Sequence, residues 1–204
     1  MNDETDDEIA QQWYDTKTAM MIDLLGAEHD VVMHALIPYC IGGGLDLYYF
    51  PNCIPGTAVA TKELCELPGE GSSNEDFDNY ELVMFTRHGI ALDDVRDMST
   101  SFGFAHQSIN AILGCIAPYS AQARLNPKDT CEFPEGMGEL GGRCLIFDAF
   151  RPMEEHNRFG LLLIMEIHRS EMDFARQYGG QGLIDRLSAS GYYPYSDIDR
   201  PAVV

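Results

Sequence analysis

Ile9, Trp13, Met20 and Leu24 recur at helical spacing, so the chain's first apolar pattern predicts a helix over residues 9–25, ended by Gly26. The period then changes. A β-branched and apolar run over residues 31–37 predicts a strand, and residues 38–44, rich in proline and glycine, predict a turn. Residues 45–50 and 57–65 read as the second and third strands. Residues 68–79 are a polar loop. Residues 80–87 form a fourth strand whose middle is apolar on both faces, as in a strand covered on both sides. Beyond it the pattern weakens. Residues 92–98 suit a short helix, 107–115 read as helical or extended, and 118–142 carry three prolines and several glycines and read as irregular. Residues 144–150 and 160–168 are two further strands, the second almost wholly apolar. Ser170-Glu-Met-Asp173 has the form of a capping box opening a helix to Tyr178, and residues 183–190 form another short helix stopped by Gly191. The pattern predicts an α/β domain of the α+β type. Its core is a mixed, mostly antiparallel central sheet of about five or six strands with flanking helices. Residues 1–26 are expected to be an N-terminal helix packed on one globular unit of residues 27–204.

Charge narrows the classes of partner. The chain has 33 acidic and 13 basic residues, a formal net charge of −20. Nucleic acids and anionic membrane surfaces are repelled by such a surface, whereas a basic protein is attracted and its approach steered. The N-terminus, Met-Asn-Asp-Glu-Thr-Asp-Asp-Glu, is the opposite of a basic signal-peptide start. Cys40, Cys53, Cys65, Cys115, Cys131 and Cys144 make no C-x-x-C pair and no zinc-finger spacing, which fits free thiols in a reducing cytoplasm.

Few motifs point to chemistry. Gly136-Met-Gly138-Glu-Leu-Gly141 matches the dinucleotide-binding glycine pattern, but a strand follows it where a helix is required, so it reads as a loop. His34 and Asp46 face each other if residues 31–37 and 45–50 form a hairpin. Such a pair appears in catalysis, and it equally satisfies a half-buried imidazole. Cys40 and Cys53 lie near it as candidate thiols. His88, His168, Glu166 and Glu63 sit at strand ends without a spacing that selects a metal. Tyr192, Tyr193 and Tyr195 are of a type enriched at interfaces, and they alternatively pack the tail back onto the sheet. No residue is assigned as catalytic, cofactor-binding or metal-binding. Asp46, Tyr192, Tyr193 and Tyr195 are the candidate partner-binding residues, and no cofactor is expected.

Several stretches in order resemble the suppressor-of-fused domain family in its bacterial form. They are His29-Asp-Val-Val-Met-His34, Gly44-Leu-Asp-Leu-Tyr-Tyr-Phe-Pro-Asn52, Gly56-Thr-Ala-Val-Ala-Thr61 and Tyr80-Glu-Leu-Val-Met-Phe-Thr-Arg-His88. Gly160-Leu-Leu-Leu-Ile-Met-Glu-Ile-His168 and Ser170-Glu-Met-Asp-Phe-Ala-Arg-Gln-Tyr-Gly179 follow. The resemblance runs from about residue 27 onward. It implies a binding protein. Animal relatives hold a transcription factor inactive and carry a second lobe that this chain is too short to contain. Bacterial relatives look like immunity proteins that neutralise a toxin domain. The expected function is therefore sequestration of a basic protein, in the manner of an immunity protein against a bacterial toxin, without catalysis. The alternatives are a small hydrolase or metal-dependent enzyme using His34 and Asp46, and a structural interaction protein.

Overall fold

Central strands that are apolar on both faces need a layer of structure on each side. The computed structural model, which describes residues 3–151 and 159–204, supplies both. One sheet contains β1 (Val32–Met33), β2 (Leu47–Phe50), β3 (Thr57–Ala60), β4 (Asn79–Thr86), β5 (Thr130–Glu132), β6 (Cys144–Phe150) and β7 (Phe159–Ile167). The order is β1-β2-β3-β4-β7-β6-β5. Every neighbouring pair is antiparallel except β4 and β7, which run parallel with Tyr80 opposite Gly160 and Val83 opposite Leu163.

Alternation along the strands builds two cores. Leu82 and Met84 of β4, with Leu162 and Ile164 of β7, join Ile109, Ile112, Leu113 and Ile116 of α2 (Ser101–Ser120). On the opposite face Val83, Phe85, Leu161, Leu163 and Met165 join Trp13, Met21, Leu24 and Leu25 of α1 (Asp3–Leu25). Met172 of α3 (Arg169–Tyr178) and Leu183 and Leu187 of α4 (Gly180–Ala189) complete that side.

The mixed sheet with flanking helices is as the sequence predicts, with differences of detail. Among the described residues there are seven strands, because β5 lies in the stretch read as irregular. The run read as a strand over 31–37 pairs for only two residues before the chain leaves the sheet at His34. The third strand stops at Ala60; Thr61 N–H still donates to the Leu82 carbonyl, and residues 62–65 then turn over Lys17 of α1, which donates to the Lys62 and Cys65 carbonyls. The buried stripe of α1 is Trp13, Lys17, Met21 and Leu24, whereas Ile9 is exposed. Two hydrogen-bonding groups explain that register: Trp13 Nε1 donates to the Cys65 carbonyl at 3.0 Å, and Lys17 Nζ donates to Glu81 Oε1 at 2.8 Å. The largest difference is α2, whose twenty residues span the segment read as indistinct. Thr100 caps it, its Oγ1 accepting from Gly103 N at 3.1 Å, and Pro118 falls in its last turn. The α3 capping box begins at His168 rather than Ser170, with the His168 backbone N–H donating to Glu171 Oε2 at 2.8 Å. The glycine pattern at 136–141 is a loop with a 3-10 turn between β5 and β6.

Gly160 of β7 faces the Phe77 ring, and a Cβ built on it would lie 2.1 Å from that ring. Gly160→Ala is expected to cost about 1–3 kcal/mol through overpacking, read as a lowered midpoint in guanidinium unfolding. Among the described residues no helix is long and apolar enough to cross a membrane.

Candidate functional site

The β1–β2 pairing places Val32 opposite Tyr48 and Met33 opposite Leu47, so the next residues out of the ladder, His34 and Asp46, meet. His34 Nδ1 lies 2.6 Å from Asp46 Oδ2. The other Asp46 oxygen accepts from the Ala35 backbone N–H at 2.8 Å, and the Asp46 N–H donates to Glu63 Oε2 at 2.8 Å. Burial, with the nearby charges of Asp46, Glu81 and Glu66, pushes the Glu63 carboxyl up, although the bond from Asp46 N–H opposes this. Both Asp46 oxygens thus hold the base of the hairpin loop. The His34 ring stands largely in solvent, its side chain 71% exposed. Of the candidate thiols, Cys53 donates to the Leu24 carbonyl at 3.6 Å and its thiol is pushed up by burial, while Cys40 is exposed in the loop. This arrangement pins a loop. It does not line up a nucleophile, a base and an orienting acid.

The pinned loop carries the unexpected feature. It folds into a 3-10 turn at Tyr39–Ile41, and Gly42 follows with φ of 86°. Gly43 packs so closely that a Cβ would lie 1.9 Å from the Ile37 carbonyl oxygen. On this loop Leu36 is 103%, Ile41 72% and Ile37 56% exposed, and Val31, just before β1, is also exposed. The sequence carried the signal: a turn with one proline and three glycines that is nonetheless apolar at Leu36, Ile37 and Ile41.

Tyr192, Tyr193 and Tyr195 are drawn into a C-terminal clasp, the packing alternative of the sequence reading. All three pack against the core, with Tyr193 Oη donating to Asp148 Oδ2 at 3.0 Å and Tyr195 Oη to the Pro55 carbonyl at 2.8 Å. Burial, reinforced by Asp148, raises the Tyr193 hydroxyl well above its ordinary value. The Arg87 guanidinium lies over the Tyr192 and Tyr195 rings. Asp46 lies apart from this group, on the hairpin. Asp197 anchors the tail, accepting from Thr86 Oγ1 at 2.6 Å and from Arg87 N at 2.7 Å. Arg200 ends the clasp in a fully buried bidentate pair with Glu171, at 2.6 and 2.8 Å.

The tail and α2 enclose a pocket of about 280 Å³ lined by Phe85, His88, Phe104, Ser108, Glu166 and Asp197 among others. Of the strand-end residues considered for metal, His88 and Glu166 reach this pocket, Glu63 belongs to the hairpin base, and His168 caps α3. Among the described residues no three His, Cys, Asp or Glu side chains gather in a metal-binding arrangement.

No protein-family model and no curated protein matches the sequence. Solved structures share the fold. A chain of the Sufu–Fu complex crystal structure superposes with a TM-score of 0.59 at 14% identity, covering 96% of this chain and 92% of that one. A SUFU (suppressor of fused protein) homolog from Neisseria gonorrhoeae FA 1090 superposes with a TM-score of 0.53 at 12% identity, covering 95% and 98%. The chain has a suppressor-of-fused-like fold.

Proposed function

We propose that this protein works by binding and sequestering another protein, with the β1–β2 hairpin loop as the docking surface, and not by catalysis. The observation that carries the reading is the loop itself: Leu36, Ile37 and Ile41 stand exposed on a backbone that Asp46 and Gly43 hold in place. A preorganised apolar projection loses little entropy on docking and suits a pocket in a partner. The net charge of −20 favours a basic partner and speeds its approach. A basic toxin domain neutralised in the manner of an immunity protein is the partner class that combines these demands. The fold supports a binding role, since one solved chain that shares it comes from a two-protein complex.

The test uses a partner identified by affinity capture from the native cell and then purified. Leu36→Asp with Ile41→Asp is expected to weaken the complex about a hundredfold by surface plasmon resonance, while leaving the unfolding midpoint close to wild type. The wild-type association rate is expected to fall steeply between low and physiological salt. An unchanged dissociation constant in the double variant removes the hairpin from the interface. A salt-independent association rate removes the basic partner.

A further inference from the structure

We propose that the pocket between α2 and the C-terminal tail receives a single arginine side chain of the partner protein. At about 280 Å³ it falls at or below the small end of pockets that hold drug-sized ligands, which suits one long side chain better than a nucleotide or cofactor. Its lining has two parts. Phe85, Phe104, Ala105, Ile109 and Ile198 give apolar walls. Glu166, Asp197 and Asp199 supply three carboxylates.

The polar contacts of the lining leave one acceptor position weakly satisfied. Glu166 is only 5% exposed, and its Oε1 pairs with Arg143 Nε at 3.1 Å. Its other oxygen has a single long bond from Ser108 Oγ, at 3.4 Å, which leaves it able to accept from a further donor. Asp197 and Asp199 share one cation, Arg87, at 3.4 and 3.8 Å, and His88 Nε2 stands 3.7 Å from Asp197. Three carboxylates therefore face two guanidinium groups and one imidazole. An anionic ligand would enter against these carboxylates, and a neutral apolar one would leave the second Glu166 oxygen with only the long Ser108 bond. Burial also holds the Glu166 carboxyl up, a cost that an incoming cation relieves.

The pocket's rim selects among cations. Phe104 lines the pocket while remaining 49% exposed, so its ring is accessible to a planar guanidinium. A guanidinium stacks on an aromatic ring and donates in a fork to a carboxylate, whereas an ammonium is a compact, strongly hydrated point charge. The pocket's apolar walls suit the arginine methylene stem. The inference rests on the protein-binding reading for the source of the arginine, but its chemistry is testable with no partner present.

The experiment titrates the ¹⁵N-labelled full chain with N-acetyl-arginine N-methylamide and follows amide shifts. Saturable changes are expected at residues 98–109, 166 and 196–199, with a dissociation constant on the order of millimolar. Affinity is expected to fall about tenfold in Glu166→Gln and in Phe104→Ala, and about tenfold when blocked citrulline or blocked lysine replaces the arginine compound. Phe104→Ala alters a half-exposed ring and keeps the test open if Glu166→Gln does not fold. Absence of saturable shifts, changes confined to other surfaces, equal binding of citrulline or lysine, or unaltered affinity in both variants would each overturn the assignment. Loss of arginine binding with an intact hairpin effect sinks the pocket alone, and the converse sinks the hairpin alone.

Discussion

Glu171→Ala is expected to destabilise the protein by about 3–5 kcal/mol, because it strands the guanidinium of Arg200 in the interior. Both members of that pair are fully buried, so neither solvent nor a neighbouring side chain replaces the lost carboxylate. Glu171 also accepts from the backbone N–H groups of His168 and Val203, at 2.8 and 3.0 Å, so one carboxylate holds the start of α3 and the end of the tail together. Guanidinium unfolding gives the stability change, and hydrogen exchange over residues 192–203 should speed up first, as the clasp opens. A midpoint within error of wild type would refute the role. The pH dependence has a definite sign. Burial pushes the Glu171 carboxyl up, but Arg200 and the two backbone donors more than offset this and hold it below its ordinary value. A carboxylate lowered in the folded state contributes stability above its unfolded pKa, and that contribution is lost as pH falls through the folded value. Acid should therefore loosen the wild-type tail, and Glu171→Ala should lack this part of the acid sensitivity.

Lys17→Ala is expected to cost a similar amount, about 3–5 kcal/mol, by leaving Glu81 uncompensated in mid-strand. Lys17 Nζ donates to the carbonyls of Lys62 and Cys65 as well as to Glu81, at 2.5, 2.8 and 2.8 Å. Glu81 Oε2 accepts from Thr61 Oγ1 at 2.7 Å. Removing both charges together, as Lys17→Met with Glu81→Leu, should recover most of the loss, since a well-packed apolar pair often matches a buried ion pair. Additive losses in the two single variants and the double variant would show that the two residues do not act as a pair. Burial lowers the Lys17 ammonium, but Glu81 and Cys65 raise it further, and the net shift is upward from 10.5. A lysine raised in the folded state contributes fully below its unfolded pKa, and that contribution fades as pH rises through the folded value. Its loss therefore appears on the alkaline side, opposite to that of Glu171.

These two pairs also show where sequence reading reaches its limit. Long apolar strands such as β4 and β7 are legible because burial on both faces forces a continuous hydrophobic run. The His34–Asp46 pairing was legible too, since a short turn between two strands sets which residues meet across them. The partner of Lys17 was not, because Glu81 reaches it only through the packing of α1 on one face of the sheet. Nor was α2. Its sequence mixes glycines at 103 and 114 with Pro118, and its exposed face includes Phe104 and Tyr119, so the usual contrast between apolar and polar faces is blurred. β5 is three residues long and lies between prolines at 127 and 134, too short for a period to register. Leu36 and Ile37 were read as the end of a strand and only residues 38–44 as a turn, because an apolar, β-branched run looks the same whether it enters a sheet or stands on a loop.

The single parallel seam between β4 and β7 has a consequence for how the chain matures. β1 to β4 follow one another as antiparallel neighbours, and so do β5 to β7, so each block closes through contacts near in sequence. The seam joins residues 79–83 to residues 159–163 and waits for the second block to exist. During synthesis the first block is therefore left with a raw β4 border until the later strands leave the ribosome. In that interval the nascent chain is open to mispairing with other chains, and the finished fold removes the hazard by making that border its centre line.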